Sequence, residues 1–251
     1  TGELHFTYID NTTGVRNTAL GAAALGDNTT SDDNTAVGAQ SLRVNTTGNS
    51  NVAVGAYALD ANTTGSNSVC IGKEAAETSV QGSGIVAIGY RALHKTTDAS
   101  YSVAIGFEAL TAATTGGEQV AIGYRALKSS TTNTDNVAIG YEALEAATSG
   151  KNVAVGWNTL KADAGAVYCT AIGYDALAHQ TGTRSHNTAI GQRAMQAVVT
   201  ANNNTAVGSE CMYTNTGGAQ NTAVGKAALY TNSTGSNNCL LYTSDAADEE
   251  D

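Results

Sequence analysis

Six aromatic residues, Tyr90, Phe107, Tyr124, Tyr141, Trp157 and Tyr174, follow one another at intervals of 16 or 17 residues. Rings repeated at one interval make a stripe on any structure with that period. An exposed stripe of this kind can stack on sugar rings or dock a partner. The same rings can instead stack on one another along the axis or pack into a subunit interface, and that is the simpler reading of near-identical side chains at one spacing.

Other candidate chemistry is sparse. Thr pairs (Thr29-Thr30, Thr46-Thr47, Thr63-Thr64, Thr114-Thr115, Thr131-Thr132) form a second periodic column. Regular Thr arrays can present a flat face to ice, but adjacent residues of a strand point to opposite sides, so an ice-binding solenoid is the weaker expectation. Asn11, Asn28, Asn45 and Asn62 each open an Asn-Thr-Thr triplet that matches the N-glycosylation pattern, yet a turn explains the triplet without a glycan. The histidines His5, His94, His179 and His186 share no position in the repeat, and the adjacent acids Asp32 and Asp33 fall in a turn. No Ser/His/Asp or Cys/His pairing follows from the register, so no enzyme activity, cofactor or metal is expected. Cys70, Cys169, Cys211 and Cys239 occupy four different positions of the repeat, which is how small residues drift and not how ligands or disulfides are spaced.

What positions the aromatic stripe is a column of thirteen glycines: Gly21, Gly38, Gly55, Gly72, Gly89, Gly106, Gly123, Gly140, Gly156, Gly173, Gly191, Gly208 and Gly225. All intervals are 17 except one of 16 and one of 18. Numbering each repeat from its glycine as zero, slot −3 is Thr or Val, slot −2 is Ala (once Cys70), and slot −1 is Val, Ile or Leu. This β-branched, small, β-branched order predicts a short strand with two side chains on one face and Ala on the other. The glycine then ends the strand where the backbone needs positive φ or close approach. Slot +4 is Leu or Met except at Ala76, and the stretch that carries it, such as Tyr90-Arg91-Ala92-Leu93, reads as either a second strand or one helical turn.

Seventeen residues are too few for a two-helix repeat and fit one coil of a β-solenoid. One coil cannot stand alone: ordering each residue costs about 1–2 kcal/mol in backbone entropy, while burying one large aliphatic side chain returns about 1.5–3 kcal/mol. Stacking must supply the rest. The expected fold is all-β, a single-chain parallel β-solenoid of about 13 coils with a 17-residue period. In-register stacking explains why slot +2 alternates sign in Arg91, Glu108, Arg125 and Glu142, and slot +5 in Lys128, Glu145 and Lys161.

The 251 residues divide into a partial N-terminal coil over 1–16, the repeat domain over 17–238, and a tail over 239–251. The net charge of −10 and the lack of a Lys/Arg stripe exclude nucleic acid as an expected partner. No run approaches the roughly 20 apolar residues of a membrane span. The chain begins without Met or a leader, which suggests an internal fragment. The glycine slot of the fourteenth coil holds Tyr242, and the acidic residues that follow carry no repeat logic, so the tail is expected to be foreign to the fold and poorly ordered.

Segments such as Asn34-Thr-Ala-Val-Gly38, Asn136-Val-Ala-Ile-Gly140 and Asn221-Thr-Ala-Val-Gly225 resemble the Ser/Asn-Val-Ala-Ile-Gly repeats in the head domains of trimeric autotransporter adhesins. The longer unit is also similar to repeats of bacterial and phage tail-fibre-like proteins. The resemblance implies a left-handed β-roll, a homotrimer with one face of each coil toward the threefold axis, and an extracellular place on a bacterial surface or phage tail fibre. It implies attachment to a carbohydrate, matrix or cell-surface receptor. The adhesin period is usually shorter than 17, and the adhesin stalk and anchor and the tail-fibre chaperone domain have no counterpart here. A ligand-free structural spacer rod is the alternative.

Overall fold

The computed structural model describes residues 12–162, 165–179, 185–197 and 200–241. It is all-β and contains no helix among the described residues. The chain forms two compact units, Thr1–Asp135 and Asn136–Asp251. The first holds β1 (Thr18–Leu20), β2 (Thr35–Val37), β3 (Val52–Val54), β4 (Val69–Ile71), β5 (Val86–Ile88), β6 (Val103–Ile105) and β7 (Val120–Ile122). The second holds β8 (Val137–Ile139), β9 (Val153–Val155), β10 (Thr170–Ile172), β11 (Thr188–Ile190), β12 (Thr205–Val207), β13 (Thr222–Val224) and β14 (Cys239–Leu241). Within each unit every strand pairs in parallel with its sequence neighbours, as the solenoid reading requires.

Equal slots face each other throughout, for example Val86↔Val103, Ala87↔Ala104 and Ile88↔Ile105. The two irregular intervals leave this register intact: Val137 pairs with Val153, and Thr170 with Thr188. The short interval is absorbed at the turn. Asn34 Nδ2 reaches the carbonyl of Gly48, 14 residues on, whereas Asn136 Nδ2 reaches that of Ser149, 13 residues on, so Thr148 alone stands where other coils have a Thr pair. The extra residue of the long interval falls after His179 and before Ser185, outside the described residues.

The strands invert the usual pattern. From β2 to β13 the central Ala, Cys70 in β4, is fully buried, while the residues on either side are partly or largely exposed. A coil of 17 residues encloses a lumen too narrow for two more branched side chains, so the interior is filled by Ala from slot −2, Leu or Met from slot +4, and buried Asn.

The Leu-bearing stretch is neither a strand nor a helical turn. Ala92 N–H bonds to Gly89 O at 3.3 Å with Arg91 at φ 53°, the signature of a type II turn, and Leu93 follows at φ 54°. Every coil repeats this at slots +2 and +4, and again at slot −5. These left-handed positions explain a restriction in the sequence: none of them holds Val, Ile or Thr, whose branched Cβ makes positive φ costly. Slot +4 therefore prefers Leu or Met over Ile. Leu110→Ile keeps the volume yet is expected to destabilise by about 1–3 kcal/mol, whereas Leu110→Met should cost under about 1.5 kcal/mol. Urea melts of the two variants check this, and equal midpoints would refute the backbone explanation.

The ordered repeat runs past the expected boundary at 238, because Cys239–Leu241 pairs with β13 through Thr222↔Cys239 and Val224↔Leu241. The remainder of the tail, 242–251, lies outside the described residues, as do 1–11 of the N-terminal coil.

Candidate functional site

The aromatic stripe forms a ladder within each unit, its rings carried one coil apart at slot +1 directly after the column glycine. In the first unit the ring centres of Tyr90 and Phe107 are 5.2 Å apart and those of Phe107 and Tyr124 5.5 Å. In the second, Tyr141 and Trp157 are 4.3 Å apart and Trp157 and Tyr174 6.5 Å. The guanidinium groups of Arg91 and Arg125 lie over Tyr90 and Tyr124 at 5.1 and 4.9 Å.

This geometry limits what the ladder can bind. Spacings near the coil repeat with interplanar angles of 15–31° mean that the rings turn their faces toward one another. What they offer to solvent is edges, although Phe107, Trp157 and Tyr174 stay more than two-fifths exposed. Stacking on a sugar needs an open ring face, so the ladder first serves the stack, and a flat partner would meet its rim.

A second surface escaped sequence reasoning. Slots −3 and −1 point outward, so Val86, Ile88, Val103 and Ile105 in the first unit, and Ile139, Ile172 and Ile190 in the second, form partly exposed rows along the strands of each unit. The alternation of the strand placed these side chains together on one face, but the usual burial rule would have placed that face inside.

Charged side chains lie in ladders as well. Arg43 Nε meets Asp60 Oδ1 at 2.8 Å, Arg125 Nε and Lys128 Nζ each meet Glu108 Oε2 at 3.1 Å, and Lys161 bridges to Glu142 and Glu145. The slot +2 alternation thus becomes real contacts between neighbouring coils. Around Glu74 the ladder gathers a histidine that the repeat does not single out. Arg91 Nε lies 2.5 Å and Lys73 Nζ 3.1 Å from the Glu74 carboxylate, while His94 Nε2 lies 2.7 Å from Glu77 Oε2 and 3.8 Å from Glu74 Oε2. The hydrogen bond from Arg91 holds the Glu74 carboxyl below its ordinary range against the opposing effect of burial. Two carboxylates and an imidazole within 4.8 Å have the composition of a metal site, but two cations already neutralise Glu74, so the cluster works as an ion-pair network.

The cysteines are all free. Burial pushes the Cys70 thiol up to about 12 and that of Cys211 up to about 11, which leaves both protonated and unreactive. Asn28, Asn45 and Asn62 of the Asn-Thr-Thr triplets are fully buried and hydrogen-bonded, so a glycan on any of them is incompatible with this fold. No helix among the described residues is long and apolar enough to cross a membrane. Comparison with family models, with curated proteins and with solved structures returns no match.

Proposed function

We propose that the chain is a non-enzymatic segment of an extracellular fibre, on a bacterial surface or a phage tail, that assembles as a homotrimer and takes part in attachment to a host cell, matrix or glycan surface. The observation that carries it is the outward β-branched face. A row of Val, Ile or Leu at slot −1, flanked by Val or Thr at slot −3 and partly exposed in a single chain, is what a second and third copy would cover. The Asn-Thr-Ala-Val-Gly and Asn-Val-Ala-Ile-Gly segments support the same reading through their resemblance to adhesin heads.

Sedimentation of the full chain should give the mass of a trimer, and Ile88→Asp combined with Ile105→Asp, both on the outward face, should give a folded monomer. A wild-type chain that sediments as a stable monomer counts against assembly. A spacer rod without a ligand is the second reading, and the self-stacked rings favour it. A glycan array on the wild type and on a Tyr124→Ala, Tyr141→Ala, Trp157→Ala variant separates the two, since equal binding by both removes the ladder from adhesion.

A further inference from the structure

Slot −5 carries left-handed residues on the outside of each coil, and two tyrosines occupy it with opposite fates. In the second unit Tyr168 is contacted by its neighbours one coil before and one coil after. Lys151 Nζ donates to the Tyr168 hydroxyl at 3.3 Å and lies 5.4 Å from the ring centre, and the His186 imidazole stacks on the ring at 5.0 Å. In the first unit the corresponding run is Gly84, Tyr101, Glu118. Tyr101 rests against Gly84, where a Cβ would lie 3.0 Å from the ring, and among the described residues it receives neither a cation nor a stacked ring. It is 70% exposed against 51% for Tyr168.

Beside Tyr101 opens a groove of about 320 Å³ lined by Asp98, Ser100, Thr115, Gly117, Glu118 and Thr134. Two acidic residues, Asp98 and Glu118, are among its lining, and among the described residues no Lys, Arg or His lines it. Asp98 Oδ1 accepts a hydrogen bond from the Ser100 hydroxyl at 2.7 Å, which fixes that carboxylate at the rim. The groove therefore offers an aromatic face, two anions and hydroxyl oxygens, and lacks the positive group that the equivalent tyrosine of the second unit takes from Lys151.

We propose that this groove binds a primary ammonium group presented by a ligand, either a lysine side chain or an amino sugar. The Asp98 and Glu118 carboxylates take the charge, the Tyr101 ring supplies a cation–π contact, and the hydroxyls of Thr115 and Thr134 receive the remaining N–H groups. The site lies within one unit and is independent of the assembly reading above, so it stands or falls without the trimer.

Calorimetric titration of the full chain with a glucosamine tetrasaccharide, its fully N-acetylated counterpart and trilysine tests it. The two charged probes should bind at one site per chain, and N-acetylation, which removes the charge and keeps the ring hydroxyls, should weaken binding about tenfold. Tyr101→Ala, and separately the near-isosteric pair Asp98→Asn with Glu118→Gln, should each weaken the charged probes by about tenfold or more. Asp27→Asn, an exposed acid elsewhere in the same unit, should change nothing. Binding of only one charged probe supports the site and identifies the carrier. Equal affinity for the acetylated sugar, no saturable binding of either cation, or unchanged binding by both groove variants overturns the proposal, the last because it would reduce the effect to attraction by an acidic chain.

Discussion

Gly106→Ala should destabilise the protein by about 2–6 kcal/mol. The residue sits at φ +136°, where a side chain is strained, and a Cβ there would lie 2.4 Å from the carbonyl oxygen of Gly123 in the next coil. The colliding atom is backbone held by the stack, because Gly123 N–H is itself bonded to Ile105 O at 2.8 Å. Relief requires the coils to separate, which weakens the β6–β7 pairing that supports both. In a solenoid each coil touches only its neighbours, so the damage should be local, with faster hydrogen exchange at Val103–Ile105 and Val120–Ile122. Gly26→Ala is the control. Its Cβ would find nothing closer than 3.4 Å and its φ is not in the left-handed range, so the variant should be neutral or up to about 1 kcal/mol more stable. Equal urea midpoints for the two variants would show that the column glycine is not held by close approach.

The column that defines the period is thus a column where successive backbones come too close for a side chain, and this is why strands and register could be read from the residues. A glycine that must recur at every coil marks the coil length directly. The corners gave no comparable sign. Arg91, Leu93 and Tyr101 hold left-handed conformations usually marked by Gly or Asn, so their types point away from turns. The trace they leave is negative, the missing Val, Ile and Thr. The orientation of the strands was hidden for a different reason. Hydrophobicity favours Val and Ile inside, but the space inside a coil this small is set by Ala36, Ala53 and their successors, which leaves the branched residues for the surface. The aromatic stripe was visible as a column, and only its geometry shows that the rings spend their faces on one another. Tyr101 was not visible at all, since what distinguishes it from Tyr168 is the identity of residues one coil away.

Asparagine was the least legible core residue, and its removal is the second large effect expected. Asn187 is fully buried; its Nδ2 donates to Ala201 O at 2.9 Å, and its Oδ1 accepts from the backbone N–H of Asn204, also at 2.9 Å. Asn34, Asn152 and Asn204 repeat the arrangement in other coils, so the side chain does what a second backbone ladder would do at a corner where the peptide groups cannot meet. Asn187→Ala leaves one donor and one acceptor buried without partners and should cost about 2–5 kcal/mol. Asn187→Ser should fall between, because Ser68 and Ser102 at the same slot accept from the next backbone N–H at 3.2 and 3.3 Å but offer nothing toward the turn carbonyl. Asn187→Asp adds a pH test. A carboxylate in that place faces the Ala201 carbonyl without a proton to donate, so its folded pKa should rise above the ordinary value of about 3.9. A raised folded pKa means that the deficit is smallest near pH 4 and grows as pH climbs toward the folded value, by up to about 1.4 kcal/mol per pH unit. Melting temperatures of the Asp and Ala variants compared with wild type between pH 4 and 7 report this. A pH-independent gap for the Asp variant would mean that the amide is not held as a buried donor and acceptor pair.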